Sequence, residues 1–359
     1  MKTSLYDKHI QLNAKIVDFA GYQMPINYPK GISNECESVR KNMGIFDVSH
    51  MGQILVEGDN SFEFVQRLTT NDVSKIKNGQ CQYTLLCNES GGIIDDLILY
   101  KIKEDRFMLV VNAANINKDF KWIAGYSNSD ITISNLSSDI SLIALQGPNS
   151  RKILSNFEEF KNCIDDLKFY HFEDISEERE IKIISRTGYT GELGYEIYGS
   201  HNYIKNLWDK LIDDYSVSPI GLAARDILRL EMCYRLYGND MDEDITPFEC
   251  DLGWVVDKKG DFIGSNNVVS KIKPDKKLVA ISMNEKCIPR KGYKIYNKNN
   301  EIGYITSGTF SPTINKGIAL GYVNTLDFDS ENIFVNIRNK QLSADFIKGS
   351  FIEGNSLFE

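Results

Sequence analysis

Between Cys81 and Val111 the chain reads CQYTLLCNESGGIIDDLILYKIKEDRFMLVV, three short apolar runs broken by turn formers, with two adjacent carboxylates at the head of the middle run. Runs of this length and spacing predict a three-stranded antiparallel meander over 81–87, 93–102 and 107–111. A charge inside an apolar strand is strongly disfavoured unless something answers it, so Asp95 and Asp96 constrain both the fold and the chemistry. Strand alternation places Asp96, Ile98 and Tyr100 on one face and Asp95, Leu97 and Leu99 on the other. If the 88–92 turn closes a hairpin, Tyr83 falls within about one residue of the position opposite Asp96. One carboxylate then shares a face with two tyrosines. The alternative is that both acids sit at the strand's start, solvated or bonded to turn amides.

At 359 residues the chain exceeds one ordinary core, so two or three domains are expected. No apolar run is long enough to span a membrane. The N-terminal MKTSLYDKHIQLNAKIVDF lacks the apolar core and cleavage site of a signal peptide, which points to the cytoplasm. Seven cysteines, an odd number without a C-x-x-C pair, predict reduced thiols, and four scattered histidines argue against a His-rich metal centre. A net charge of -9 disfavours nonspecific nucleic-acid binding, which needs a basic surface.

Helices are predicted over 33–43, with Ser33 as N-cap and Gly44 as stop, and over 60–68, 114–125 and 203–213. Mixed with the meander they make an α+β pattern. Residues 142–148 end a strand and start a helix with Pro148 near its first turn. Residues 181–185 form a strand that passes through a turn-rich segment, 186–192, and returns over 194–198. The strongest helical periodicity covers 222–236, closed by Gly238, and points Arg225 and Arg229 the same way, as a solvated basic stripe paired with Asp226 and Glu231. Beyond a charged run at 271–277 the chain turns to short strands, so a boundary is expected there, between 1–274 and a β-rich region, 275–359.

The segments VDFAGYQMPINY, VRKNMGIFDVSHMG, LTTNDV, CNESGGIIDDLILYKI, VVNAANINKDF, ALQGP, SRTGYTGELGYEI, GLAARDILRLE, YGNDMDEDITPFE, LGWVV and ITSGTFSPT follow one another through both halves of the chain. In these, and in their order, the chain resembles the T-protein family of the glycine cleavage system nearly end to end. The resemblance implies a three-domain cloverleaf around a central folate cavity, the last domain a small β-barrel. It implies an aminomethyltransferase that takes the aminomethyl group from the dihydrolipoyl arm of the lipoylated H protein and gives it to tetrahydrofolate, yielding 5,10-methylenetetrahydrofolate and ammonia. No metal, nucleotide or flavin belongs to this chemistry, in keeping with the absence of a P-loop or G-x-G-x-x-G fingerprint.

By the same resemblance Asp96, the second acid of GGIIDD, matches the family's essential aspartate. Such a carboxylate can stabilise a cation, orient the attacking folate nitrogen and accept its proton. Tyr83 and Tyr100 match folate contacts. Glu196 in GELGYEI matches the acceptor for a pterin's paired donors, Arg225 in GLAARD its basic partner, which could hold Glu196 or a polar folate edge, and Tyr189 in RTGYTG an aromatic wall. Met51, Asn112, Tyr170 and Trp254 lie in segments that line the family's cavity. The chain departs from the pattern at Asp345-Phe346-Ile347-Lys348-Gly349, where many bacterial relatives carry an arginine, so no tail residue is assigned. Arg290 and Lys291 form a basic pair that could meet the H protein. Two rivals remain: another tetrahydrofolate-dependent one-carbon transferase or demethylase on the same fold, and a non-enzymatic folate-binding protein, whose K-G-C-Y signature is missing here.

Overall fold

The computed structural model describes residues 1–176, 181–325, 331–353 and 355–359. The meander is present as Gln80–Cys87, Ile93–Lys103 and Arg106–Val111, extended by Gly52–Glu57 and Thr132–Asn135 into a five-stranded sheet. Alternation holds along its middle strand. Leu97 and Leu99 enter one core with Ile54, Val65 and Leu109, while Ile98 and Tyr100 pack into another with Phe46, Phe172 and Tyr198.

The hairpin register differs from expectation by one residue. Leu85 stands opposite Asp96 and Tyr83 opposite Ile98, because a bulge near Leu86 and Cys87 leaves Ile94 without a partner on the facing strand. The turn amides are not satisfied by the aspartates either: Asn88 Oδ1 accepts from Gly92 N at 2.9 Å, and Gly91 takes φ +88°.

A six-stranded sheet orders Phe172–Asp174, Ile183–Ser185, Gly194–Ser200, Ile140–Gln146, Gly44–Asp47 and Ser218–Pro219. Its strands Gly44–Asp47 and Ile140–Gln146 are adjacent in space yet flank the whole five-stranded sheet in sequence, so one lobe is inserted in the other. The third lobe is a closed six-stranded barrel running from Lys276–Met283 to Lys340–Ile347. One apolar core joins the two sheets, and another gathers Leu85 and Ile93 of the meander, Leu230 and Val255, and barrel residues Leu278, Ile318 and Tyr322. The meander's hairpin therefore ends where three lobes meet.

The helices predicted over 60–68, 114–125 and 203–213 run Ser61–Leu68, Ile116–Gly125 and His201–Asp213, and two others differ in how they start or stop. The first is Ile32–Lys41, with Gly31 rather than Ser33 at the N-cap, at φ 85°. The periodic segment is helical only over Leu222–Glu231. Cys233 adopts φ 57°, and the Arg229 guanidinium donates to the Tyr234 carbonyl at 2.8 Å, turning the chain back five residues before Gly238. Nor is Arg229 part of a solvated stripe. It is 1% exposed, bonded to Asp226 and Asp240 at 2.8 Å and to barrel Ser307 Oγ at 2.9 Å, so it ties the helix to the third lobe. Glu231 likewise pairs with Arg40 and accepts from barrel Ser311. Among the described residues no helix is long and apolar enough to cross a membrane.

Candidate functional site

Asp96 stands at the three-lobe junction with part of its surface open. The Tyr83 hydroxyl donates to its Oδ2 at 3.0 Å, and Asn112 Nδ2 donates to its Oδ1 at 2.8 Å. Burial first, and the neighbouring Asp95 charge second, raise its carboxyl to about 7, against the pull of those two hydrogen bonds. A carboxyl poised there can hold or release a proton near neutral pH. Trp254 stacks on Tyr83 at 5.9 Å and is itself 69% exposed, so the aromatic layer over Asp96 opens to solvent at Trp254.

Asp95 points to the opposite face and is fully buried. It accepts from Asn112 N at 3.0 Å, Asn112 Nδ2 at 2.8 Å and Asn115 Nδ2 at 2.7 Å. The Asn112 amide thus bridges the two acids, and its donor is spent on them rather than left for a ligand.

The facing wall comes from the six-stranded lobe. Glu196, on Gly194–Ser200, accepts from the Thr187 hydroxyl. Burial raises its carboxyl, opposed by that hydroxyl and by the Arg225 charge. Arg225 lies with its guanidinium 4.8 Å from the Tyr189 ring centroid. Among the described residues it makes no ion pair, so the expected Glu196–Arg225 contact acts through space and not as a salt bridge. Tyr189 also stacks on Tyr234 at 5.7 Å and donates its hydroxyl to the Arg235 carbonyl. The loop carrying Tyr189 is fixed by Gln146, whose Nε2 donates to Thr187 O at 3.1 Å and whose Oε1 accepts from Thr190 at 2.9 Å. A Cβ at Gly188 or Gly194 would stand 2.0 or 2.3 Å from that amide, which accounts for glycine at these places in RTGYTGELGYEI.

The Tyr83, Tyr170 and Tyr189 phenols are each pushed up chiefly by burial, with the Asp96 charge adding to the rise. Tyr170 adopts φ 60° and also feels Glu196. Met51 packs against the core between the two sheets. Tyr100, like Asn112, departs from the expected contacts. It has no exposed surface, its hydroxyl is bonded to Ser185 Oγ at 3.0 Å and Tyr198 OH at 2.8 Å, and it packs behind the site against Phe172. It shares a strand face with Asp96 but sits two same-face positions further along, in the inter-sheet core.

The chain matches the GCVT N-terminal domain over residues 5–260 and the glycine cleavage T-protein C-terminal barrel domain over 276–353. It is 46% identical over 358 residues to the "Aminomethyltransferase" of Thermosipho melanesiensis, covering 98% of this chain and 97% of that one. The chain belongs to the glycine cleavage T-protein family. A protein of the same description from Thermotoga maritima is 44% identical over 328 residues, covering 90% of this chain and 89% of that one. In three dimensions the crystal structure of glycine cleavage system aminomethyltransferase T from Bartonella henselae superposes with a TM-score of 0.92 at 34% identity, covering 99% of each chain. The chain is thus an enzyme with the T-protein fold, an aminomethyltransferase of the glycine cleavage system, as its motifs implied.

Several residues around the candidate site were not expected from the sequence. Thr187 and Tyr234 hold Glu196 and Tyr189, Asn115 holds Asp95, and a further acid, Asp119, lies behind it. Asn115 follows Asn112 by three residues, a spacing that brings two amides to one carboxylate once a helix starts there. Asp119 reads in sequence as an ordinary first-turn acid favoured by the helix dipole.

Proposed function

We propose that the chain moves the aminomethyl carbon from the dihydrolipoyl arm of the H protein to tetrahydrofolate, releasing ammonia and leaving the arm as a dithiol, with Asp96 as the group that serves the reacting atoms. The observation that carries this is a partly open carboxyl, raised to about 7, held by Tyr83 and Asn112 opposite a wall of Tyr189, Glu196 and Arg225. Loss of ammonia from S–CH2–NH3+ leaves a carbon that must be met by a folate nitrogen shedding its proton. A carboxylate near its transition at neutral pH accepts that proton and stabilises the positive charge before it.

The polar groups present suit a pterin. Glu196 keeps one oxygen without a protein donor among the described residues and can accept two parallel N–H groups in a fork. Arg225, over the ring of Tyr189 and without an ion pair among the described residues, can face a polar edge of the same ring system. Tyr83, Tyr170 and Tyr189 supply ring faces, with the exposed Trp254 toward the outside. Tyr100 has no part in contacting the ligand, and Asn112 acts by holding the two acids. The same proposal divides the chain into a folate-binding region, 1–274, and a barrel, 275–359, supported by the gap between the two family matches. It sets the enzyme to work in the cytoplasm. Mixing the chain with glycine, tetrahydrofolate and the other three glycine cleavage proteins tests the function: methylenetetrahydrofolate must form above a control lacking the chain, and equal yields overturn the proposal.

A further inference from the structure

Behind the Asp95–Asp96 pair lies a third acid that the chemistry above does not use. Asp119 sits in the first turn of the helix Ile116–Gly125, is fully buried, and among the described residues has no hydrogen-bond donor at either carboxyl oxygen. Asn115 precedes it by four residues, so the two side chains lie on one helix face. That face meets Asp95: Asn115 Nδ2 reaches Asp95 Oδ1 at 2.7 Å, and the Asp119 carboxyl is within hydrogen-bonding reach of the Asp95 carboxyl.

Two carboxyls in contact cannot both stay ionised, and the surrounding donors decide which one holds the proton. Asp95 collects three N–H groups, from the Asn112 backbone, the Asn112 amide and the Asn115 amide. Asp119 collects none. Lys118, next along the helix, is committed to Ile94 O at 2.7 Å, Tyr237 OH at 2.9 Å and Glu243 at 3.1 Å, so its cation lowers Asp119 only from a distance. The Tyr237 phenol and the Asp242 and Glu243 carboxylates complete the charged surroundings on that side.

We infer that Asp119 is a positioning residue: it remains a neutral carboxylic acid whose O–H donates to Asp95, and through Asp95 and the Asn112 amide it fixes where Asp96 points. The inference rests on the role proposed for Asp96. Burial first, then the Asp95 carboxyl, hold Asp119 up at about 10, in agreement with the donor count. An anion at Asp119 would be an uncompensated buried charge, and an apolar residue there would leave Asp95 one donor short and the Asn112 bridge less tightly held.

Infrared spectroscopy and kinetics on the full chain, with H protein and tetrahydrofolate, test this. At about pH 8, between the Asp96 and Asp119 transitions, the parent must show a protonated-carboxyl C=O band that Asp119→Asn lacks. Asp119→Asn still offers Asp95 an N–H and is expected to keep turnover within about threefold. Asp119→Leu offers nothing, and its kcat is expected to fall roughly tenfold or more, the scale seen when outer partners of metal ligands are removed, with the KM for folate changed by less than about threefold. Persistence of the band in Asp119→Asn, or equal turnover in the Asn and Leu variants, overturns the inference. If Asp119→Leu does not fold, the band in Asp119→Asn decides alone. Asp96→Asn assayed alongside separates the two ideas, since full turnover there overturns the role of Asp96, whereas the band speaks only to Asp119.

Discussion

The Tyr83 hydroxyl reaches Asp96 Oδ2 at 3.0 Å from two positions along the neighbouring strand, diagonal to the Leu85–Asp96 pair. A tyrosine spans that diagonal where a shorter side chain could not. Its hydrogen bond favours the anion, working against the burial and the Asp95 charge that raise Asp96 to about 7. Tyr83→Phe removes the bond and keeps the ring on Trp254. The acid limb of the pH–rate profile is therefore expected near 7 in the parent and displaced upward in the variant, with the alkaline plateau lowered less than about tenfold. An unmoved limb would mean that Asp96 is not the group being titrated.

Asp96→Asn keeps the shape and loses the proton acceptor, so transfer is expected to slow by about 100-fold or more while folate still binds. Stability supplies an independent check. A carboxyl raised in the fold binds its proton more tightly folded than unfolded, so its contribution is fully present below the unfolded value of about 4 and is lost as pH rises toward 7. The melting temperature of Asp96→Asn relative to the parent should rise across that window and level off above it. A pH-independent difference would contradict the raised value.

Asp95→Asn separates the two acids. Its new NH2 group would face the amide donors that now converge on the carboxylate, an unsatisfied buried contact costing about 1–3 kcal/mol in denaturant unfolding. Removing the charge also relieves Asp96, so the acid limb should move below about 7, opposite in sign to Tyr83→Phe. Loss of turnover in Asp95→Asn with near-normal Asp96→Asn would reverse the roles of the two acids.

The meander, the faces of Asp95 and Asp96 and the α+β class were legible in period-two alternation and turn residues. Alternation fixes faces, however, and not depth: Tyr100 shares the Asp96 face, yet the six-stranded lobe folds over it and its hydroxyl finds Ser185 and Tyr198. Register was off by one because the bulge beside Leu86 carries no distinctive residue. The helix over 222–231 was extended too far because apolar spacing continues past it, while the actual stop is a left-handed Cys233 braced by the Arg229 side chain. Arg229 itself shows why charge patterns mislead: its partner Asp240 is eleven residues away and Ser307 lies in another lobe.

Glu196 and Arg225 lie on different elements, Glu196 with a carboxylate oxygen free of protein donors among the described residues and Arg225 over the ring of Tyr189. A ligand that engages both and also rests on Tyr83 joins the two sheet lobes. Tetrahydrofolate at about 100 times its Kd should therefore add about 2.7 kcal/mol of stability if it ignores the unfolded chain. Glu196→Gln keeps one acceptor and replaces the second arm of the fork with a donor, so it should weaken folate binding and shrink the thermal shift. Arg225→Lys keeps the charge but loses the planar stack on Tyr189, and it should weaken binding without restoring any contact to Glu196. Thermal melts and folate titrations on the two variants check this. An unchanged shift in Glu196→Gln removes that carboxylate from the pterin edge, whereas an unchanged shift in Arg225→Lys would mean that charge alone, and not the stacked guanidinium, is what the ligand meets.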